Sequence, residues 1–402
     1  MSDRRFMERL IEGVEVEWKT LGEVGRFIRG NGLQKSDFTE TGVPAIHYGQ
    51  IYTFYNTFTT TTKSFVSLEL AKTLRKVDTG DVVITNTSEN IEDVGKAVVY
   101  LGKHQAVTGG HATVFKPSNL IIGKYFAYFT QTIHFATQKR KYAKGTKVID
   151  VSATDMAKIQ IPIPCPNNPK KSLEIQSEIV RILDAFTELT TELTTELTAR
   201  RKQYNYYRDK LLTFKEGEVE WKTLGNLAEN LDSMRKPITS GLRDPGDIPY
   251  YGASGIVDYV KDFIFDGDFL LVSEDGANLA ARNTPIAFSI SGKSWVNNHA
   301  HVLKFETCVE RRYVEYYLNS IDLTPYISGA AQPKLNQKNL NDIKIPNPLP
   351  TEKLRIVSIL DKFDSLTTSI TDGLPREIEL RQKQYEHYRN LLFDFPKKEV
   401  EA

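Results

Sequence analysis

The sequence predicts an α+β protein built by internal duplication, in which two mixed α/β modules are each followed by a long helix. The first observation is a repeat: "EVEWKTLG" occurs at residues 15–22 and again at 218–225. An eight-residue identity does not arise by chance in a chain of 402 residues, and internal repeats of this size define architecture. The second observation is that strand-like segments precede an uninterrupted helical pattern after both copies.

The rest of the repeated unit returns in the same order. The matching pairs are "GDVVITNTSEN" (80–90) with "GDFLLVSEDGAN" (267–278), "GGHATVFKP" (109–117) with "NNHAHVLKF" (297–305), "IQIPIPCP" (159–166) with "IKIPNPLP" (343–350), "IVRILDAF" (179–186) with "IVSILDKF" (356–363), and "KQYNYYRDKLLTF" (202–214) with "KQYEHYRNLLFDF" (383–395). The second pair aligns His111 with His299. The chain therefore divides into a first module (1–168), a central helix (169–214), a second module (215–350), a C-terminal helix (351–395) and a tail (396–402).

Short β-branched and aromatic runs, separated by Gly, Asn, Asp and Pro, predict strands in both modules. Helices are expected near 120–140 and 308–320. From Ser172 to Leu212 apolar residues recur three, four or seven apart without proline or glycine, which predicts a rod of roughly 60 Å. One apolar stripe on so long a helix needs a partner, and the segment 351–393 supplies it. Gly373 and Pro375 predict a break in that second helix.

Residues 187–198 read TELT three times. Four residues turn about 400° around a helix, so a strict four-residue repeat drifts and makes a poor packing stripe. Each TELT unit instead lengthens the rod by roughly 6 Å. Two interpretations remain open: a ruler that sets a distance, or a slippage product tolerated on a solvated face.

Composition places the chain among ordinary globular proteins, with 40% apolar and 26% charged residues. No apolar run approaches the length of a membrane helix, and the first residues lack a signal-peptide pattern, so we expect the cytoplasm. Cys165 and Cys308 lie far apart, which argues against a disulfide framework and a structural zinc. The net charge of +1 says little about partners, because basic residues can gather on one face.

Two β-rich modules, each followed by a helix with "IV.ILD.F" and "KQY..YR", resemble the specificity subunit of type I restriction-modification enzymes. "IPIPCPNNPKKSLEIQSEIVRILDAF" and the TELT run resemble one subfamily, which has tandem tetrapeptides in its central helix. The resemblance implies that the modules are target recognition domains, each of which reads one half of a split, asymmetric site in double-stranded DNA. It implies that the two helices form an antiparallel coiled coil with pseudo-twofold symmetry.

The resemblance also implies the partners. Two modification (methyltransferase) subunits would dock on this chain and methylate adenine with S-adenosylmethionine, and restriction subunits with ATP- and Mg²⁺-dependent translocase and nuclease activity would join them in defence against foreign DNA. This chain itself would need no cofactor or metal and would hold no catalytic residue.

The sequence gives no sign of catalytic chemistry. The Gly-rich loop and Asn/Asp-Pro-Pro-aromatic element of an adenine methyltransferase are missing. "SGKS" (291–294) lacks the upstream glycine of a phosphate-binding loop, since Ala287 stands there. Glu274 and Asp275 precede a glycine and indicate a turn more than a metal site. Two alternatives stay open, namely an enzyme with a divergent nuclease or methyltransferase site and a coiled-coil adaptor without DNA specificity.

Base edges are recognised by amide, hydroxyl and cationic side chains, and phosphates by cations. The candidates in the first module are Asn31, Gln34, Lys35, Gln50, Asn86, Thr87, Lys139, Arg140, Lys141, Lys144 and Lys147. Those in the second are Tyr251, Ser254, Asn278, Arg282, Asn297, Asn298, Gln332 and Lys334. The run 134–147 is the strongest basic patch, although a solvated helix end would look the same. His111 and His299 suggest structural hydrogen bonding more than DNA contact.

The helices repeat a set of tyrosine and arginine residues, which are residue types enriched at interface centres. The scaffold candidates are Leu189, Leu193, Leu197, Tyr204, Tyr207, Arg208, Tyr385, Tyr388 and Arg389. We assign them first to pairing of the two helices and second to docking of partners.

Overall fold

The computed structural model of the protein describes residues 10–281, 284–329, 332–369 and 371–395. The chain forms two compact units. Unit 1 comprises residues 1–192 and 378–402, and unit 2 comprises residues 193–377. Each unit therefore contains one module together with a segment from each of the long helices.

Thirteen α-helices are found in the described residues. They are α1 (Leu21–Val24), α2 (Tyr48–Thr53), α3 (Leu68–Thr73), α4 (Gly123–Phe129), α5 (Ile133–Tyr142), α6 (Ala153–Met156), α7 (Pro169–Leu212), α8 (Leu224–Leu227), α9 (Gly276–Ala281), α10 (Cys308–Ser320), α11 (Gln337–Asn341), α12 (Pro350–Thr368) and α13 (Leu374–Leu392). The helices predicted near 120–140 and 308–320 are thus confirmed as α4 with α5 and as α10.

The strands of the first module are β1 (Val16–Thr20), β2 (Gly25–Arg29), β3 (Phe38–Thr39), β4 (Val43–Ile46), β5 (Phe58–Thr59), β6 (Ser64–Val66), β7 (Arg75–Val77), β8 (Val82–Thr85), β9 (Thr87–Ser88), β10 (Ala97–Tyr100), β11 (Ala106–Thr108), β12 (Ala112–Pro117), β13 (Ile149–Asp150) and β14 (Gln160–Pro164). Those of the second are β15 (Glu220–Thr223), β16 (Glu229–Asn230), β17 (Pro245–Gly252), β18 (Gly255–Val260), β19 (Phe265–Ser273), β20 (Ala287–Val296), β21 (Ala300–Lys304) and β22 (Lys344–Asn347).

Unit 1 contains two five-stranded sheets, in the orders β2-β12-β8-β10-β5 and β3-β6-β4-β11-β7. Both are mixed, because β10 pairs parallel with β5 and β11 pairs parallel with β4. The strands β8 ("VVIT") and β10 ("AVVY") are buried along their whole length, as β-branched runs in the middle of a sheet should be. Aromatic residues of α4 and α5 pack on the first sheet together with Ile179 and Leu183 of α7.

Unit 2 is organised around one six-stranded sheet in the order β16-β21-β19-β20-β17-β18. Its core joins Leu270 and Val272 of β19 to Tyr313 of α10 and to Ile356 and Leu360 of α12. The module therefore packs against its own segment of the helical pair through a continuous apolar interior.

The repeated "EVEWKTLG" has the same structural role in both units. Its strand β1 pairs antiparallel with β14, and the second copy, β15, pairs in the same way with β22. In each copy the leucine after the strand donates its backbone N–H to an isoleucine carbonyl at 2.8 Å, Leu21 to Ile159 and Leu224 to Ile343. The repeat therefore ties the start of each module to the strand that leads into the long helix.

The helical predictions are confirmed. Helix α7 runs for 44 residues without interruption. The second helix is broken between α12 and α13, and Pro375 lies in the first turn of α13. A Cβ atom on Gly373 would lie only 2.5 Å from the Ser365 carbonyl oxygen, which explains glycine at the break.

Aromatic side chains join the helices within each unit. In unit 1 the ring of Phe186 on α7 lies 5.5 Å from that of Tyr388 on α13. In unit 2 Tyr207 on α7 stacks on Phe363 of α12 at 5.7 Å. As α7 advances, its partners fall earlier in the second helix, which is the order of an antiparallel pair.

Within the described ranges, no helix is both long enough and apolar enough to span a bilayer. The same part of the chain contains no group of three His, Cys, Asp or Glu side chains placed to hold a metal ion.

Candidate nucleic-acid interface

Several loops of unit 1 meet at one surface, which we call the unit-1 loop face (residues 29–35, 47–52, 85–90, 109–111 and 144–150). His111 lies at its centre. The ring of His111 is 4.8 Å from that of Tyr48, and its Nδ1 is 3.2 Å from Thr87 Oγ1. Gly110 donates its N–H to the Gly32 carbonyl at 3.1 Å, which brings the first loop alongside.

Two exposed lysines, Lys35 and Lys147, lie on the unit-1 loop face. Burial lowers the pKa of His47, and the charges of Lys35 and His111 lower it further. The lowered pKa leaves His47 uncharged at neutral pH, so the positive charges of this face are those of its exposed lysines. Such a surface attracts anions such as DNA phosphates.

The unit-2 loop face is formed by residues 232–236, 251–254, 274–278, 297–299, 328–329 and 332–335. His299 occupies the position of His111, and its Nδ1 lies 2.9 Å from Asp275 Oδ1. The N–H of Asn297 donates to the Tyr251 carbonyl at 3.1 Å and brings the hairpin between β17 and β18 to the same surface.

The two faces share one backbone frame. Asn86 N–H donates to the His111 carbonyl at 3.0 Å, and Glu274 N–H donates to that of His299 at 2.9 Å. Then Val151 donates to the Asn86 carbonyl and Leu335 to that of Glu274, both at 2.9 Å. The sequence alignment of the two histidines is therefore confirmed, and both hydrogen-bond within their own unit as predicted.

Most predicted residues of unit 1 lie on or beside its loop face. Asn31, Gln34 and Lys35 are exposed there, and Thr87 is half-buried beside His111. Gln50 is half-buried, donates through Nε2 to Ser64 Oγ at 2.6 Å and accepts the His47 N–H through Oε1 at 3.4 Å, so both ends of its amide are already engaged.

The basic run of unit 1 divides into two groups. The exposed side chains of Arg140 and Lys144 have carboxylate partners, Glu92 at 3.7 Å and Asp155 at 3.1 Å. The other exposed cations are Lys141 and Lys147.

The structure corrects the prediction for Lys139. Its side chain is buried, and Nζ donates to the carbonyl oxygens of Val94 at 2.6 Å and Glu92 at 3.0 Å. Burial lowers the pKa of Lys139 to about 8, although the negative charges of Glu92 and Asp93 oppose the shift. An ammonium group in this position stabilises the loop 92–94 and does not reach a phosphate.

Asn86 and Asn297 need the same correction. Asn86 is buried and its Oδ1 accepts a 2.6 Å hydrogen bond from Thr113 Oγ1. Asn297 is also buried, and its Oδ1 accepts the N–H of His299 at 2.8 Å. Both amides hold the frame around a histidine and do not face a ligand.

The predicted residues of unit 2 are mostly accessible. Ser254, Asn298 and Gln332 are exposed, and Tyr251, Asn278 and Lys334 are half-buried. Lys334 Nζ lies 3.3 Å from Glu274 Oε1. Arg282 lies outside the described residues.

Sequence reasoning missed a charged network beneath the unit-2 loop face. Arg235 bonds Glu274 Oε2 at 2.9 Å and the Ala300 carbonyl at 2.9 Å, and buried His301 bonds Asp232 at 2.6 Å. The equivalent support in unit 1 is the neutral pair of Asn86 and Thr113. The only sequence signal was the second histidine in "NNHAH", next to the one that was considered.

The scaffold candidates lie along the paired helices. Tyr204 is half-buried near Phe363, and burial together with Asp364 raises its pKa to about 12. The guanidinium of Arg389 lies over the ring of Tyr385 at 5.1 Å. Arg208 pairs with its neighbour Asp209 at 2.7 Å, and Leu189, Leu193 and Leu197 are half-buried. Helix pairing accounts for the tyrosines, while docking of partners stays a prediction.

Comparison with known proteins shows the same duplication. The profile of the type I restriction modification DNA specificity domain matches the chain twice, at residues 13–200 and 216–380. The chain belongs to this family. Each match begins just before one copy of "EVEWKTLG".

Relatives of full length lie in the same specificity family. The chain is 36% identical to the specificity subunit of the type I restriction enzyme EcoR124I/EcoR124II of Escherichia coli, covering 100% of this chain and 99% of the relative. It is 32% identical to the EcoprrI specificity subunit of the same organism, covering 92% and 93%.

Solved structures agree with the fold. The crystal structure of a type I restriction-modification S subunit from M. genitalium has a TM-score of 0.60 at 15% identity and covers 96% of this chain and 98% of its own. A structure described for complex assembly and conformational transition of the type I system also scores 0.60, at 13% identity, with 94% and 97% covered. At these identities the likeness concerns the fold alone.

Proposed function

We propose that this chain is the DNA sequence-recognition subunit of a type I restriction-modification complex, in which the unit-1 and unit-2 loop faces each bind one half of a split site. The observation that supports one half-site for each face is the shared backbone frame around His111 and His299. Members of this family are the recognition components of type I systems, so the catalytic steps belong to other subunits.

The two faces have the same frame and different side chains. Unit 1 presents Asn31, Gln34 and Lys35 near His111, whereas unit 2 presents Asn298 and Gln332 near His299. Since a base edge is recognised by its pattern of donors and acceptors, different side chains on one frame bind different sequences. The site that such a chain recognises is therefore asymmetric.

We propose that the paired helices dock two modification subunits, because a duplicated chain offers the same docking surface twice. Those subunits would bind S-adenosylmethionine and methylate adenine, and restriction subunits would use ATP and Mg²⁺. The complex would work in the cytoplasm, where its DNA is found.

Single-molecule sequencing of methylated adenine tests the proposal, in a host that expresses this chain with its candidate modification subunit. The expected result is one motif of two short half-sites around a fixed gap. If no motif appears although the subunits bind each other and the modification subunit is competent, the adaptor alternative gains support. Nuclease or methyltransferase activity of the purified chain alone, with Mg²⁺ or S-adenosylmethionine, would support the enzyme alternative.

A further inference from the structure

One short pattern recurs on a helix of each module. Residues 124–128 of α4 read "KYFAY", and residues 312–316 of α10 read "RYVEY". In both segments a cation precedes a tyrosine by four residues, so the two side chains lie on the same face of their helix. Each module therefore presents a cation and a hydroxyl side by side.

In unit 1 both groups bind one carboxylate of the central helix. Asp184 of α7 accepts Lys124 Nζ at 2.7 Å through Oδ2 and the Tyr128 hydroxyl at 2.6 Å through Oδ1. The ammonium of Lys124 also lies 3.6 Å from the centre of the Phe58 ring on β5. Burial, together with the hydrogen bond to Asp184, raises the pKa of Tyr128 well above its usual range, so its hydroxyl remains a donor. We call Lys124, Tyr128 and Asp184 the unit-1 latch.

The unit-2 latch consists of Arg312, Tyr316 and Asp361. Asp361 of α12 accepts Arg312 Nη2 at 2.7 Å and the Tyr316 hydroxyl at 2.6 Å. These distances equal those of unit 1, although unit 1 has lysine where unit 2 has arginine. Asp184 and Asp361 are the aspartates of the repeated "IV.ILD.F" motif, so the aligned motif supplies the same residue to both latches.

Each latch is a polar contact between a module and its own segment of a long helix. Beside it in unit 1, Ile179 and Leu183 of α7 pack in the apolar core with Tyr125 and Phe126 of α4. Apolar burial is non-directional, whereas a hydrogen bond weakens steeply when its distance or angle changes. The hydrogen bonds to the aspartate therefore define the angle at which the module lies on its helix.

We propose that Asp184 and Asp361 are positioning residues, which hold each loop face at one angle to its own helix and thereby keep the gap between the two half-sites at one length. The inference rests on the proposed function. A helix of fixed length defines one gap only if neither face tilts on its helix. Since one base pair is about 3.4 Å along DNA, a face that shifts by a few ångströms admits a second gap.

The test uses the complex of the full chain with its modification subunit and reads the methylated motif by single-molecule sequencing. Asp184→Asn keeps the size of the side chain and removes its charge. Both half-sites should stay the same, while methylation at sites whose gap differs by one base pair should rise roughly 10-fold, the factor that a hydrogen bond to a charged group contributes. Asp361→Asn should have the same effect from unit 2.

Two further variants of unit 1 test the latch itself. Tyr128→Phe removes a single hydroxyl and should also admit the second gap, and it replaces Asp184→Asn if that variant does not fold. Lys124→Arg should retain the single gap, because unit 2 has arginine at the equivalent position. Thermal melting of each variant verifies that it folds.

Ile84→Val is the control for a loss of stability alone, because Ile84 of β8 is buried in the core of unit 1 and takes no part in the latch. Lower stability weakens methylation at all sites alike, so this variant should keep the single gap. If the parent gives one gap and the folded aspartate variants keep it, the inference is wrong and the proposed function stands. A second gap in Ile84→Val would also overturn the inference. If the parent gives no split motif, the proposed function fails first and the inference fails with it.

Discussion

His301 Nδ1 lies 2.6 Å from Asp232 Oδ2 in the interior of unit 2, and its Nε2 lies 2.7 Å from the Leu335 carbonyl oxygen. The ring of His301 thus links the Asp232 carboxylate to the backbone at Leu335. The contact therefore fastens the unit-2 loop face, to which Leu335 belongs, to the interior of unit 2.

Removal of the carboxylate should leave His301 Nδ1 and the Val302 N–H without their hydrogen-bond partner, and it should take from Arg235 one of its two carboxylates. We expect Asp232→Ala to lower the free energy of unfolding of unit 2 by about 3–5 kcal/mol, the usual cost of breaking a buried ion pair from one side. Urea denaturation followed by circular dichroism measures the change. Asp258→Ala is the control, because its carboxylate pairs with Arg243 at the surface, and it should change stability little. If the two variants lost equal amounts of unfolding free energy, burial of Asp232 would not explain its contribution to stability.

The contact between Asp232 and His301 also predicts that unit 2 loses stability in acid. Burial acts to raise the pKa of Asp232, but the hydrogen bond and charge of His301, with the Val302 N–H and Arg235, outweigh it and lower the pKa. A carboxyl with a lowered folded pKa contributes stability above its unfolded pKa of about 3.9, and this contribution is lost as pH falls through the folded pKa. Thermal melting from pH 7 to pH 3 should therefore show a decline below about pH 4 that is smaller in Asp232→Asn.

The buried Lys139 should make unit 1 more stable as the pH rises in the alkaline range. Its folded pKa of about 8 lies below the unfolded value of about 10.4, so the unfolded chain binds more protons between these values. The stability of unit 1 should then rise with pH, by about 2 kcal/mol from pH 8 to pH 10. Denaturation series of the parent and of Lys139→Met measure the difference, and the variant should lack the rise. Lys141→Met, at an exposed neighbour, should retain it.

The duplication, the long helix and its break at Gly373 were predictable because each depends on local pattern. A repeat is visible in the letters themselves, and helical periodicity and a Gly-Pro interruption act over a few residues. The match of His111 with His299 was predictable for the same reason, since both follow from aligned strands.

The sequence did not predict which polar side chains are buried in structural contacts and which are exposed. Lys139, Arg140 and Lys141 are adjacent in sequence, yet the first is buried and the other two are exposed, because α5 packs one face against the loop 92–94. Likewise Asp232 and His301 meet across 69 positions of the chain. Contacts of this kind depend on how distant segments pack together in the folded unit. The local sequence pattern of one segment does not reveal that packing.

The aromatic contacts predict where the helical pair is stabilised. Phe363→Ala removes the ring on which Tyr207 stacks and which lies 6.3 Å from Tyr204. Because the site is half-buried, we expect a loss of about 2 kcal/mol in the stability of unit 2. Lys362→Ala, at the exposed neighbouring position, should have little effect. Binding of the modification subunit, measured on the folded variant, separates helix pairing from docking: unchanged binding assigns these tyrosines to pairing alone.

The TELT run predicts the distance between the half-sites. Its hydroxyl groups bond within the helix, as Thr190 and Thr191 do with the carbonyl oxygens of Phe186 and Thr187 at 2.9 and 2.8 Å. Removal of one TELT unit therefore shortens α7 without exposing unpaired groups, by roughly 6 Å. Since DNA rises about 3.4 Å per base pair, the gap in the methylated motif should shorten by one or two base pairs while both half-sites stay the same.

A variant of unchanged length provides the control for the deletion. Thr191→Ala with Thr195→Ala alters the composition of the run and keeps all twelve residues of 187–198, so its gap should equal that of the parent. If the deletion also leaves the gap unchanged, the ruler is excluded, and the repeat is a slippage product on a solvated face. If the gap shortens only in the deletion, helix length sets the spacing, because the two variants differ in length and share the loss of threonine hydroxyls.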